Sequence, residues 1–233
     1  MKNVSVVTTA FTNNDSDWFF IRESARIVGL PLHVHGLGQN YPHLAGLPGF
    51  MEFVDKIDSD YILVTDAFDV IVNRWDEAEV MRHVDKAKGN LFVSANDECW
   101  PAGPWFESYP DNGTPWRSAC GGQYVGTKQA ILELWSEFLS GKWEQTAGGS
   151  TQEMLHRMHE GGVPFTVDSR CAVFQIMGHN SQPHVCVTTC VTEIPRLPQA
   201  YNDITDTCPM FLHFGGRAPG LQEWFDKLYG GAK

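Results

Sequence analysis

The run Tyr61-Ile62-Leu63-Val64-Thr65 passes without a break into Asp66, and Asp69 follows three residues later. A run this apolar lacks the alternation of a half-solvated strand. It suits a strand buried on both faces, with helices packed on each side of its sheet. Val4–Val7 has the same character before turning polar at Thr8 and Thr9, and Leu91–Ala95 has it again. Between such runs lie helical patterns. Asp15, Ser16 and Asp17 offer N-caps for a helix through Val28 that places Trp18, Ile21, Ala25 and Val28 on one face, and Gly29 ends it. Further helices are predicted at Phe50–Ile57, Asp76–Ala87, Lys128–Leu139, Thr151–His159 and Leu221–Leu228. Further strands are predicted at Leu32–His35, Val70–Val72, Pro164–Val167, Ala172–Ile176, Val185–Val191 and Met210–His213. Gly36–Gly49 reads as loop. So does Asn96–Gly122, which is long, rich in Pro, Gly and Trp, and long enough to suggest function. This alternation predicts an α/β fold with a mostly parallel central sheet flanked by helices. No repeat or linker divides the chain, so one domain is expected over residues 1–233.

Composition narrows the function classes. With 42% hydrophobic and 19% charged residues among 233, a packed core is expected and global disorder is not. A formal net charge of −11 repels polyanions, which disfavours non-specific binding to nucleic acid or an anionic membrane. No apolar run approaches the length of a membrane span, and Met1–Thr9 lacks the layout of a signal peptide. A cytoplasmic protein with no membrane partner is the expectation. Cysteines 99, 120, 171, 186, 190 and 208 form no CxxC framework and read as reduced thiols.

Three segments carry chemistry. In α/β sheets ligands bind beyond the C-terminal ends of the strands, so Asp66 and Asp69 would face one. Two close carboxylates repel unless a positive charge lies between them, and a hard cation such as Mg²⁺ or Mn²⁺ suits their oxygens and those of a phosphate. The plainer alternative is that Asp66 caps a turn and Asp69 is solvated. In Met210-Phe-Leu-His213-Phe-Gly-Gly216-Arg217, a strand-end histidine precedes glycines that let backbone approach phosphate and an arginine that neutralises it. A packed histidine is the alternative there. In Cys120-Gly-Gly-Gln-Tyr-Val-Gly126, Gly121 and Gly122 would give room for a bulky ligand such as a sugar, or simply form a tight turn.

Taken in order, these segments resemble the glycosyltransferase domain of procollagen galactosyltransferases and multifunctional lysyl hydroxylases, a PLOD-like domain of GT-A type with a Rossmann-like nucleotide-sugar-binding fold. Arg22-Glu-Ser-Ala with His35-Gly-Leu-Gly-Gln-Asn-Tyr41 is similar to the family's first helix and its Gly-Leu-Gly turn. Thr65-Asp-Ala-Phe-Asp-Val70 is similar to its aspartate motif. Val93-Ser-Ala95 with Cys99-Trp-Pro101, and Asp168-Ser-Arg-Cys-Ala-Val-Phe-Gln175, resemble later family segments. The resemblance implies that Asp66, Asp69 and His213 hold Mn²⁺. It places Phe68 and Tyr41 near the nucleotide, Thr9 and Thr12 where the first strand meets uridine, and Gly216 in the closing motif.

The chain also departs from the family. Phe214-Gly-Gly-Arg217 stands for Gly-Asn-Gly, and Pro219 occupies a lysine position, so Arg217 would substitute electrostatically. Ser150-Thr151-Gln152 stands where the family often has Asp-Asp-Gln at the helix near the sugar, so Gln152 alone persists. Asp97, Glu98 and Asp168 are candidate bases by their nearness to family motifs. The implied function is metal-dependent transfer from a UDP-sugar to a hydroxyl of a protein, a glycan or a hydroxymethylated pyrimidine in phage or viral DNA. The aromatic loop Asn96–Gly122 could stack sugars or bases. If the source is viral, the host cytoplasm is the expected location. The alternatives are a nucleotidyltransferase using the same acids, or a catalytically weak nucleotide-sugar-binding module.

Overall fold

The computed structural model describes residues 2–39, 46–101, 103–143, 150–178, 182–188, 198–215 and 220–230. In chain order the elements are β1 (Val4–Thr9), α1 (Phe19–Val28), β2 (Leu32–His35), α2 (Leu47–Asp55), β3 (Tyr61–Asp66), β4 (Val70–Val72), α3 (Glu77–Lys86), β5 (Leu91–Asn96), β6 (Ser118–Thr127), α4 (Lys128–Leu139), α5 (Thr151–Glu160), β7 (Thr166–Val167), β8 (Phe174–Ile176), β9 (Val185–Thr188), β10 (Gln199–Asn202), β11 (Phe211–His213) and α6 (Leu221–Tyr229). Among the described residues no helix is long and apolar enough to cross a membrane.

Six strands form the central sheet in the order β2-β1-β3-β6-β5-β7. It is parallel except for β6, which runs antiparallel to β3 and β5. The apolar runs have the two-sided burial their composition demands. Val7, Ile62 and Val64 pack with Phe50 and Val54 of α2, Trp135 of α4 and Leu155 of α5. Val6, Tyr61 and Leu63 pack on the other face with Ile21 and Ala25 of α1 and Val80 and Val84 of α3. Burial of each such aliphatic side chain contributes about 1.5–3 kcal/mol.

A second sheet, β4-β11-β8, carries the chain's C-terminal half back to the first. β11 pairs antiparallel with β4, and His213 lies opposite Val70. Ile71, Leu212 and Phe214 pack there with Trp224, Phe225 and Leu228 of α6. Ser24 of α1 accepts the Val72 N–H at 2.9 Å, which ties that helix to the second sheet.

Several local expectations need correction. Asp15–Asp17 do not cap α1, whose N-cap is Trp18. Asp17 instead accepts hydrogen bonds from the Thr12 hydroxyl and the Asn14 amide. The helix still ends at Gly29, at φ 73°, where a left-handed residue closes the last turn. The expected loop through Gly49 gives way to α2 at Leu47. Cys120–Gly122 lies within β6 rather than in a loop or tight turn, and β10 has no counterpart among the expected strands.

Asp168, a base candidate by sequence, is committed to backbone hydrogen bonds. The residue is 1% exposed. One oxygen accepts the Ala172 N–H at 2.9 Å, and the other accepts those of Val173 and Phe174 at 2.8 and 2.9 Å. These bonds fix the turn, with Cys171 at φ 49°, that delivers the chain into β8. Removing a shared acceptor leaves buried donors unsatisfied at about 1–3 kcal/mol each. Asp168→Ala should therefore lower the unfolding free energy by at least about 3 kcal/mol, and Asp168→Asn, which keeps one acceptor oxygen, by less. Urea denaturation checks this. Wild-type stability of Asp168→Ala would return Asp168 to the list of bases.

Candidate active site

The chain crosses from the central sheet to the second between Asp66, the last residue of β3, and Val70, the first of β4. So short a crossing forces the side chains of Asp66 and Asp69 together. Phe214 N–H donates to the Asp69 carbonyl at 2.7 Å, and with the His213–Val70 register this brings His213 to the same point. His213 Nε2 lies 3.3 Å from Asp66 Oδ2 and 3.4 Å from Asp69 Oδ1. One donor atom from each of the three falls within 4.8 Å of the others. The side chains are 51%, 12% and 5% exposed for Asp66, Asp69 and His213, so the cluster opens to solvent through Asp66.

The β6 bulge makes room for this arrangement. Val93 pairs with Tyr124 but Ala95 pairs with Ala119, so Cys120–Gln123 stand against Ser94 alone. A Cβ on Gly122 would lie 2.5 Å from Asp66 Oδ2 and overlap the His213 ring. A Cβ on Gly121 would lie 2.7 Å from the Gln152 backbone nitrogen, so that glycine admits the N-terminus of α5. The two glycines thus seat protein groups.

Burial alone would lower the His213 pKa. The hydrogen bonds to Asp66 and then Asp69 outweigh burial and hold it well above the ordinary value. The imidazolium is the counter-charge that lets two carboxylates lie together. Two carboxylate oxygens and an imidazole nitrogen are also a donor set that suits a divalent cation, once the histidine gives up its proton.

The other candidates are placed differently. Thr9, the last residue of β1, stands beside Asp66 on β3 and His35 on β2, at the C-terminal end of these parallel strands. Phe68 is half-buried in the bend between the two acids. Gln152 is buried on the first turn of α5, and its amide nitrogen has no partner among the described residues. Thr12 is committed to the loop. Its hydroxyl donates to Asp17 at 2.5 Å and accepts from Asn14 N–H at 3.0 Å, while its carbonyl accepts from Gly38 N–H at 2.9 Å.

Asp97 is half-buried and Glu98 exposed just beyond β5, and neither joins the acid–histidine cluster. Their loop is held by α5 through buried His156, whose Nε2 lies 3.2 Å from the Trp100 carbonyl and whose Nδ1 lies 2.9 Å from Tyr109 Oη. Tyr41, Gly216 and Arg217 lie outside the described residues. Sequence reading missed Phe11, whose ring fills the space beside Gly36 and meets His35 edge-on at 5.8 Å. The glycine-rich turn after β2 was the available signal.

Gly122→Ala should push the imidazole and Asp66 apart while leaving the sheets intact. Because the two carboxylates hold the His213 pKa up, that pKa should fall towards about 6.5. Histidine NMR titration of metal-free protein checks this, and an unchanged pKa would show that the site tolerates a methyl group.

Comparison with known proteins gives a consistent result. The family model described as the PLOD GT domain matches residues 1–221. No curated protein sequence matches the chain. Among solved structures, the crystal structure of a glycosyltransferase involved in the glycosylation of the major capsid of PBCV-1 aligns over 94% of this chain and 98% of its own, with a TM-score of 0.50 and 13% identity. At that identity the likeness is one of fold. The match over residues 1–221 shows that this chain belongs to the PLOD glycosyltransferase-domain family and is a glycosyltransferase.

Proposed function

We propose that the chain, acting as one GT-A-like domain, transfers a sugar from a UDP-sugar to a hydroxyl acceptor, with Mn²⁺ or Mg²⁺ held by Asp66, Asp69 and His213. The observation that carries this reading is the convergence of three ligand-type side chains from two sheets at the C-terminal edge of β3. A cation bound there would draw charge from the diphosphate as the sugar leaves, worth several kcal/mol of barrier. Thr9 and Phe68 would lie along the nucleotide. The resemblance adds Tyr41 there, and Gly216 and Arg217 at the phosphates. The buried amide nitrogen of Gln152, without a partner among the described residues, would donate to a hydroxyl of the donor sugar, which satisfies a group otherwise costly to bury. With Asp168 committed to the fold, Asp97 and Glu98 are the carboxylates that remain to receive the acceptor's proton.

The net charge of −11 favours a protein or glycan acceptor over a modified base in DNA. The structural neighbour's involvement in viral capsid glycosylation agrees with that preference.

Incubation with UDP-sugars and Mn²⁺ should release UDP. Asp66→Asn should reduce the rate by at least about 10²-fold, the scale on which loss of one charge-stabilising group acts. Pyrophosphate release would instead identify a nucleotidyltransferase, and absence of turnover a binding module.

A pH test follows from His213. Its pKa is raised in the metal-free fold, so it carries a proton that a metal must displace. Mn²⁺ affinity should therefore rise with pH, by up to about tenfold per unit, until the raised pKa is passed. For the metal-free protein the stabilisation from protonated His213 is full below about 6.5 and is lost as pH rises through the folded-state pKa. Thermal midpoints in chelator should fall across that window, and saturating Mn²⁺ should remove the fall. A midpoint in chelator that climbs with pH there would contradict the charge assignment.

A further inference from the structure

His213 has two ring nitrogens, and the acids occupy only one of them. Nε2 faces Asp66 and Asp69. Nδ1 is buried in a side chain 5% exposed, and among the described residues its one polar partner is Cys120, with Sγ 4.0 Å away. Cys120 is itself buried and opens the β6 bulge. Its carbonyl accepts from the buried Ser94 hydroxyl at 3.3 Å, which fixes the backbone from which the thiol projects. The remaining space beside the ring is closed by Gly122, whose missing side chain lets the imidazole lie against the strand.

We propose that Cys120 is the positioning residue for His213: its sulfur accepts the Nδ1–H hydrogen bond and so turns the Nε2 lone pair into the gap between the two carboxylates. This rests on the metal reading above. A ligating histidine needs its second nitrogen protonated and held, a task most often given to a carboxylate, a carbonyl or water. Here a buried thiol supplies it. Sulfur is a weak acceptor, but it is large and polarisable, and it meets the ring nitrogen at 4.0 Å. On this account Cys120 stays outside the coordination sphere, because the ring stands between sulfur and metal.

The test uses metal binding rather than turnover. Mn²⁺ affinity would be measured by electron paramagnetic resonance, and the geometry of the Co²⁺-substituted protein by visible and near-ultraviolet absorption, for wild type, C120A and C120S. Folding of each variant is checked by circular dichroism. Loss of an outer-shell partner lowers metal affinity by about 10–100-fold, so C120A should bind Mn²⁺ that much more weakly and show altered Co²⁺ ligand-field bands. C120S retains an acceptor and should recover most of the affinity, whereas C120V, made alongside, fills the space without an acceptor and should not.

Wild-type Co²⁺ protein should lack a thiolate-to-cobalt charge-transfer band, and its presence would overturn the proposal by making Cys120 a ligand. Wild-type affinity and spectrum in C120A would overturn it while leaving the metal reading standing. Failure of wild type to bind either ion would overturn both.

Discussion

Two ionised carboxylates repel at close range unless positive charge lies between them, and the arrangement around Asp66 and Asp69 follows from that constraint. The chain leaves β3 at Asp66 and enters β4 at Val70, so the acids have no freedom to separate. In the metal-free protein the balancing charge is the His213 imidazolium, 3.3 and 3.4 Å from the two oxygens. A divalent cation would take over the same task with more charge, and would make the pocket attractive to a diphosphate that it otherwise repels. Proton, cation and nucleotide would thus be linked through one histidine.

The site depends on features far from it in sequence. The antiparallel register of β11 on β4 sets His213 opposite Val70, and a slip of one residue would turn the imidazole to the other face. The bulge in β6 clears the space the ring occupies, and a side chain at Gly122 would fill it. Asp168, holding three amides of the segment that enters β8, supports the strand on which β11 lies. The C-terminal half of the chain therefore finishes a site whose acids come from the N-terminal half.

The sheet and most helices were legible because their signals are local. The unbroken apolar runs of β1, β3 and β5 demand burial on two faces, and α3, α4 and α6 carry periodic faces that no strand would present. The acid pair was legible for the same reason, since it ends an apolar run. Other features were hidden because they depend on pairing. Nothing near Asp168 announces that its oxygens face three backbone amides. Nothing in Cys120-Gly-Gly reveals a bulge, because a bulge is a property of two strands. Asp17 resembles an N-cap until Thr12 is seen to use it. The grouping of His213 with Asp66 and Asp69 came from family resemblance, since spacing alone cannot join positions 66 and 213.

On the proposed reading, the acid pair becomes a nucleotide site when a cation replaces the proton on His213. Calorimetric titration of UDP into the protein, once in chelator and once in Mn²⁺, tests it most directly. Binding should be at least about tenfold tighter with the metal, a difference of about 1.4 kcal/mol or more. Equal affinity in the two conditions would contradict it.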